Sequence, residues 1–468
     1  MTSPTRARSP ESPGSPEPIS STEPRRRLYF PLHAGPEEIP STPFPLSYIV
    51  TIMAVLLFLT GILAFYSQVV HSVLIPGPDN GHKYKSAVAE FALTDTARKD
   101  PHAEGEDREI MVSLFMPIPV TSCTGECQHT YMPSTVAKIA NNQTLGNYNN
   151  SVFEKMAYAV CCSSYRPIDA SKIPVVVLEP HTDTSRLLYS NLARYMTANN
   201  VAVVLLDHPY DSSIVEFHDG RIVYQAGATG LSNFSPLTAW NATVTSAIDI
   251  RIADIEFALS ALTDPSILAT NFPKIQFTGA LDTSKYSIVG HGLGGTVATS
   301  LSSSSDRVFL SINLSGSPPP LNHTISTPTF LLGRSDFRRT DDILWPSSWP
   351  FLTGPATEFD LADSGIMDFT DLPIVIEVSG VKGLKGKGLG NSGPWANHAV
   401  KCFVEGILRD NVHGETGAVH DCVRIFEERM FPYMVGRRMD VVKRSGAVSR
   451  RGVLRAGMRH WLETWGFM

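Results

Sequence analysis

Between Lys285 and Thr299 the chain reads Lys-Tyr-Ser-Ile-Val-Gly-His-Gly-Leu-Gly-Gly-Thr-Val-Ala-Thr. The apolar run predicts a short buried strand, the glycine cluster a tight turn, and the residues after it a helix. Four glycines between Gly290 and Gly295 suit a turn where backbone segments approach closely or where φ turns positive. A strand that feeds straight into a helix asks for a sheet with helices packed on it. No other stretch narrows the fold class so far.

The rest of the chain repeats the theme. Strands are expected at Ile110–Pro117, Ile173–Leu178, Val201–Leu206, Val308–Leu314, Thr327–Leu332 and Glu358–Leu361. Helices are expected at Ser185–Asn199, at Ala399–Leu408, and at Thr243–Leu262, where Ile248, Ile252, Ile255, Leu259 and Leu262 recur at helical spacing. An irregular insertion bearing Cys and Asn should fill the chain up to about residue 170. Continuous Val/Ile/Leu strands separated by helices mean a mostly parallel, doubly wound α/β sheet buried on both faces. This domain is assigned to 110–436, with 67–109 as linker and domain start.

Residues 1–45 are rich in Pro, Ser and Glu and poor in large apolar side chains, so they predict a disordered tail. Leu46–Tyr66 then runs 21 residues without a charge. At about 1.5 Å per residue it would cross the roughly 30 Å of a bilayer core. A single-pass membrane anchor is therefore expected. Glycosylation sequons at Asn142, Asn149, Asn233, Asn241, Asn313 and Asn322, with all six cysteines, follow that span. They favour a cytosolic N-terminus and a lumenal or extracellular C-terminal domain, the type II arrangement. Asn313 ends a core strand and should be the unused sequon. The tail 437–468 is basic and ends in tryptophans. It reads as a solvated tail, with contact to an anionic membrane surface as the alternative.

A net charge of −6 over 468 residues excludes a strong nucleic-acid partner. Cys123 and Cys127 lack a second close pair downstream, so the cysteines suit disulfides better than zinc. No metal and no cofactor are expected.

Several short motifs occur in one order. They are Ser185-Arg-Leu-Leu-Tyr-Ser190, Asp207-His-Pro-Tyr-Asp211 running into Ile214-Val-Glu-Phe217, and Val289-Gly290-His291. Ile312-Asn313-Leu314 before Gly316-Ser317, and Phe369-Thr-Asp-Leu-Pro373, complete the set. Over about 110–410 the chain thus resembles the platelet-activating-factor acetylhydrolase family, most of all its fungal branch. The resemblance implies an α/β-hydrolase fold, a Ser-Asp-His triad, and esterase activity toward short sn-2 acyl groups of phospholipids such as 1-alkyl-2-acetylglycerophosphocholine. A membrane phospholipid would be the ligand, with a protein partner as the further expectation.

In such folds the nucleophile stands in the pattern G-x-S-x-G. Here the elbow is Gly290-His291-Gly292-Leu293-Gly294, with Gly292 in the nucleophile position. The resemblance places the triad aspartate at Ser315 and the histidine at Ile366. It also replaces a Gly-x-Gly oxyanion loop by His181-Thr182-Asp183. Acyl transfer needs a nucleophile, an imidazole to take its proton and a carboxylate to orient that imidazole. Glycine and isoleucine supply neither of the first two. The expectation is a non-catalytic homologue that binds lipid or a partner. Its rival is an esterase built from substitutes among His181, Asp183, Asp207, His208, Asp211 and His291. Gly290-x-Gly292-x-x-Gly295 also matches a dinucleotide fingerprint, but Val308–Gly316 lacks the acidic residue that motif needs. The lysine- and glycine-rich run 380–388 lacks a phosphate-loop ending and reads as a surface loop.

Overall fold

A computed structural model describes residues 51, 53, 55, 72–78, 81–146, 151–226, 237, 239–335, 337, 341–429 and 434–436. The chain divides into two units, 1–69 and 70–468. Of the first, Thr51, Met53 and Val55 are described, all helical and exposed. The tail 1–45, the remainder of the expected span 46–66, and the tail 437–468 lie outside the described residues. Among the described residues no helix is long and apolar enough to cross a membrane.

The second unit is organised by a nine-stranded sheet among the described residues. In chain order its strands are β1 (Tyr84–Lys99), β2 (Asp107–Pro119), β3 (Val175–Glu179), β4 (Ala202–Asp207) and β5 (Tyr286–His291), then β6 (Val308–Leu314), β7 (Thr329–Arg334), β8 (Ala356–Leu361) and β9 (Met434–Gly436). Across the sheet they lie in the order β1-β2-β4-β3-β5-β6-β7-β8-β9. The six central strands β4, β3, β5, β6, β7 and β8 are parallel, and β1, β2 and β9 are antiparallel to their neighbours.

Side-chain alternation divides the core into two layers. From β3, Val176 and Leu178 enter one layer and Val175 and Val177 the other, all nearly inaccessible. The first layer is covered by α1 (Ser190–Ala198), the short α4 (Leu372–Val378) and α5 (Pro394–Asn411), through Leu192, Met196, Val375, Phe403 and Ile407 among others. The second is covered by α2 (Ala242–Ala261) and α3 (Leu293–Ser304), through Ile248, Ile255, Leu259, Val297 and Leu301. Full burial of each such side chain contributes roughly 1.5–3 kcal/mol, which is why the central strands read as unbroken apolar runs.

The stretch 67–109, expected as linker and domain start, carries the edge strand β1. Its buried Ala87, Ala89, Phe91 and Leu93 alternate with more exposed residues, so no continuous apolar run announces it. The insertion up to residue 170 is less irregular than expected. Strands Cys123–Thr130 and Met156–Ser164 form an antiparallel pair, bridged by disulfides Cys123–Cys161 and Cys127–Cys162. Between them lie a short helix, Ser134–Ala140, and a π turn, Asn141–Leu145. A third disulfide, Cys402–Cys422, joins α5 to α6 (Ala418–Arg429), so all six cysteines are paired. The expected helix at Ser185–Asn199 is instead a 3₁₀ turn, Arg186–Tyr189, followed by α1.

Candidate functional site

Strand β5 delivers His291 to the central, C-terminal edge of the parallel sheet, the chain reverses at Gly292, and α3 begins at Leu293. A Cβ on Gly290 would lie 2.0 Å from the Gly294 carbonyl oxygen, and one on Gly294 would lie 2.3 Å from that of Glu179. Backbone approach thus requires glycine at both places. Gly292 has φ +54 and ψ −118, the left-handed region that a strained elbow imposes on its central residue.

The space in front of Gly292 is filled. A Cβ there would lie 2.3 Å from Nδ1 of His181, 2.6 Å from its Cγ and 2.7 Å from its Cε1. The Leu293 N–H donates to the same Nδ1 at 3.1 Å, so this nitrogen carries the lone pair. In hydrolases of this fold the amide after the nucleophile is an oxyanion donor. Here an imidazole nitrogen accepts from it.

A second imidazole lies behind the first. The His181 backbone N–H donates to the Tyr189 hydroxyl at 3.1 Å, and that hydroxyl is hydrogen-bonded to Nδ1 of His291 at 2.8 Å. Burial foremost, then the nearby His181 and Arg334, pushes the His291 pKa well below the usual range, so its ring is neutral. The ring stacks on Phe369 with centroids 5.3 Å apart and tilts against His181 at the same separation. Burial raises the Tyr189 pKa, so its hydroxyl is no ready nucleophile.

The remaining expected positions lie at the same edge of the sheet. Ser315 follows β6 at φ +61, half-buried, and its Oγ has no hydrogen-bond partner among the described residues. Ile366 is buried in the short turn Ile366–Phe369 that brings Phe369 onto His291. Asn313 is buried, donating to Thr299 Oγ1 at 3.0 Å and accepting from the Gly316 N–H at 2.7 Å. A cavity beside Ser315, lined by Asp342, Trp345, Glu358 and Asp360 among others, measures about 30 Å³. That volume suits a few waters, whereas small-molecule sites usually need roughly 300 Å³ or more. A larger open recess, about 730 Å³, lies between Arg98, Lys99 and the outer side of α2, and no elbow residue lines it.

The loop carrying His181 is held by buried charges. His208 sits between Glu179 (Nε2 to carboxylate, 3.0 Å) and Asp254 (Nδ1 to carboxylate, 2.8 Å). Burial opposes its charge, but Glu179 and Asp254 outweigh that and lift its pKa to about 9. Arg251 donates to the Pro180 carbonyl at 2.7 Å and to Asp211 at 2.6 Å, and lies 3.3 Å from Glu179. Asp211 accepts from Thr182 Oγ1 at 2.5 Å, while its carbonyl accepts the Asp183 N–H at 2.9 Å. Burial works against the Asp211 carboxylate, yet Arg251 holds its pKa below the usual value. Arg108, fully buried, joins Asp254 to Asp100. Asp207 instead anchors Arg186, accepting from its backbone N–H at 2.7 Å and from its guanidinium. Asp207, His208 and Asp211 therefore brace loops rather than converge as a substitute triad.

Asp183, where the resemblance expects glycine, has φ +52. Burial, with Asp211 adding repulsion, raises its carboxyl pKa to about 6, against a hydrogen bond from Gln143. Two glycosylation candidates, Asn149 and Asn233, lie outside the described residues, and Asn142, Asn241 and Asn322 are exposed. Sequence reading gathered His181, Asp183, Gly292 and His291 at one site, but it missed Tyr189, Glu179, Arg251 and Asp254. A signal for the last two was available: Arg251 and Asp254 interrupt the apolar stripe of α2, and charges on a buried face call for partners.

A parallel sheet of this strand order, with a strand–glycine turn–helix at its centre, defines the α/β-hydrolase fold. A ferulic acid esterase from Streptomyces cinnamoneus shares it, with a TM-score of 0.57, 24% identity, and coverage of 73% of this chain and 94% of that one. The family profile described as platelet-activating factor acetylhydrolase, isoform II, matches residues 106–389, more than half of the chain. The chain belongs to that family. A probable 1-alkyl-2-acetylglycerophosphocholine esterase from Arthroderma benhamiae is 27% identical over 349 residues, 69% of this chain and 83% of that protein.

Proposed function

We propose that the chain is a non-catalytic member of the platelet-activating-factor acetylhydrolase family, anchored in a membrane by 46–66 and acting by binding a lipid or a protein partner. The observation that carries this reading is Gly292, which brings no reactive atom to the elbow and faces the His181 ring instead. Ser315 and Ile366, at the positions the family resemblance gives to the acid and the base, supply neither a carboxylate nor an imidazole. Losing the nucleophile and its base alone costs a serine hydrolase about 10⁶ in turnover, and the remainder rests on an oxyanion donor. At Leu293 that donor is engaged by His181.

The cavity beside Ser315, about 30 Å³, is too small for an acyl chain, so a lipid would be bound elsewhere. The C-terminal domain is assigned to the lumenal or extracellular side, a reading supported by the position of the sequons and by three disulfides, which suit an oxidising compartment. The test is direct. The purified full chain is assayed with short-chain nitrophenyl esters and an acetylated ether phospholipid, alongside a serine-reactive fluorophosphonate. Background turnover and no labelling are expected. Stoichiometric labelling with turnover would overturn the reading in favour of an esterase using substitute residues.

A further inference from the structure

His181 and Gly292 meet as complementary shapes. One is a ring where the resemblance expects glycine, and the other a glycine where it expects serine. We propose that the two positions form a single coupled exchange, in which His181 is an internal occupant that closes the site. The imidazole takes the volume of an elbow side chain and also the hydrogen bond that a bound acyl oxygen would accept. This inference rests on Gly292 standing at the nucleophile position and deepens that reading by assigning closure to one residue.

Two independent contacts support it. The ring lies 2.3–2.7 Å from the place of a Cβ on Gly292, and Nδ1 accepts from the Leu293 N–H at 3.1 Å. Nor can the ring readily give way. The backbone N–H of His181 donates to the Tyr189 hydroxyl, the neighbours Pro180, Thr182 and Asp183 are bonded to Arg251 and Asp211, and the ring is tilted against the buried His291. A ligand carbonyl or carboxylate oxygen would compete for the same amide. A side chain restored at 292 would compete for the same space.

The test is a double-mutant cycle in the full chain, read by chemical unfolding. Gly292→Ala should lower the folding equilibrium constant by about 10²-fold or more, because steric overlap adds to a left-handed φ. In a His181→Gly background the same substitution should cost at least tenfold less. Free 4-methylimidazole should raise the melting temperature of His181→Gly and leave the unmodified chain unchanged. If His181→Gly fails to fold, His181→Ala serves in the same cycle. His181→Phe keeps a ring without an acceptor, and should speed hydrogen exchange at the Leu293 amide. Additive costs, no response to 4-methylimidazole, or unchanged exchange in His181→Phe would each overturn the proposal. Additive costs in a chain without turnover sink this inference alone. Ester turnover by the unmodified chain sinks the non-catalytic reading.

Discussion

The His208 Nε2–H donates to the Glu179 carboxylate at 3.0 Å, deep in a site where both side chains are inaccessible to solvent. Its other nitrogen reaches Asp254, so a protonated imidazole bridges the end of β3 to α2. The folded pKa of about 9 lies above the unfolded value near 6.5. The stabilisation is therefore complete below about pH 6.5 and is lost as pH rises through about 9, on the order of 3 kcal/mol in all. Urea unfolding at pH 6.5, 8 and 9.5 should show this decline. His208→Leu should flatten it while costing about 3 kcal/mol, because Glu179 and Asp254 lose the imidazolium between them and keep only Arg251 and Arg108. Because Lys401, its pKa lowered by burial to about 8, acts in the opposite sense over this range, the decisive comparison is between the two chains: a pH dependence unchanged by His208→Leu would refute the bridge.

At Asp183 the charge is a liability. Its pKa, raised to about 6, means that stability present below the unfolded pKa is lost as pH rises through 6. Asn tolerates the same left-handed φ and carries no charge. Asp183→Asn should therefore raise the melting temperature at pH 7.5, with the gain fading as pH falls through 6 and gone by about pH 4. A gain equal at both pH values would mean that Asp183 acts through packing alone.

The Cys402–Cys422 bridge closes a loop of 20 residues between α5 and α6. Chain entropy puts its contribution at roughly 3 kcal/mol. The double variant Cys402→Ser/Cys422→Ser should lose about that much in chemical unfolding. Thiol titration of the denatured, unreduced chain should find no free cysteine, and detection of two or more would refute the pairing.

Asn313 is buried with both ends of its amide bonded, so no glycan can be accommodated on it in this fold. Peptide mapping after endoglycosidase treatment should find no mark there, while the exposed Asn142, Asn241 and Asn322 remain open to modification. Alkaline carbonate should leave the chain in the membrane fraction. Release into the soluble fraction, with no mobility change on deglycosylation, would count against the type II arrangement.

The sequence by itself determined the sheet and its centre. The continuous apolar strands, the helix 242–261 and the glycine turn at 290–295 are governed by short-range periodicity and local backbone freedom, so they were legible residue by residue. Gly292 was legible as a missing side chain for the same reason. Strand β1 was less so, because a half-buried edge alternates instead of running apolar. What stands opposite Gly292 was decided only by tertiary structure. His181 precedes it by more than a hundred residues, and nothing local says that its ring fills that gap rather than pointing to solvent. Helix α1 makes the same point: the Asp371 carboxylate accepts from its Asn191 N–H at 2.7 Å, across 180 residues of sequence. Caps, charge bridges and fillings of this kind depend on distances that exist only once the sheet has brought remote loops to one edge.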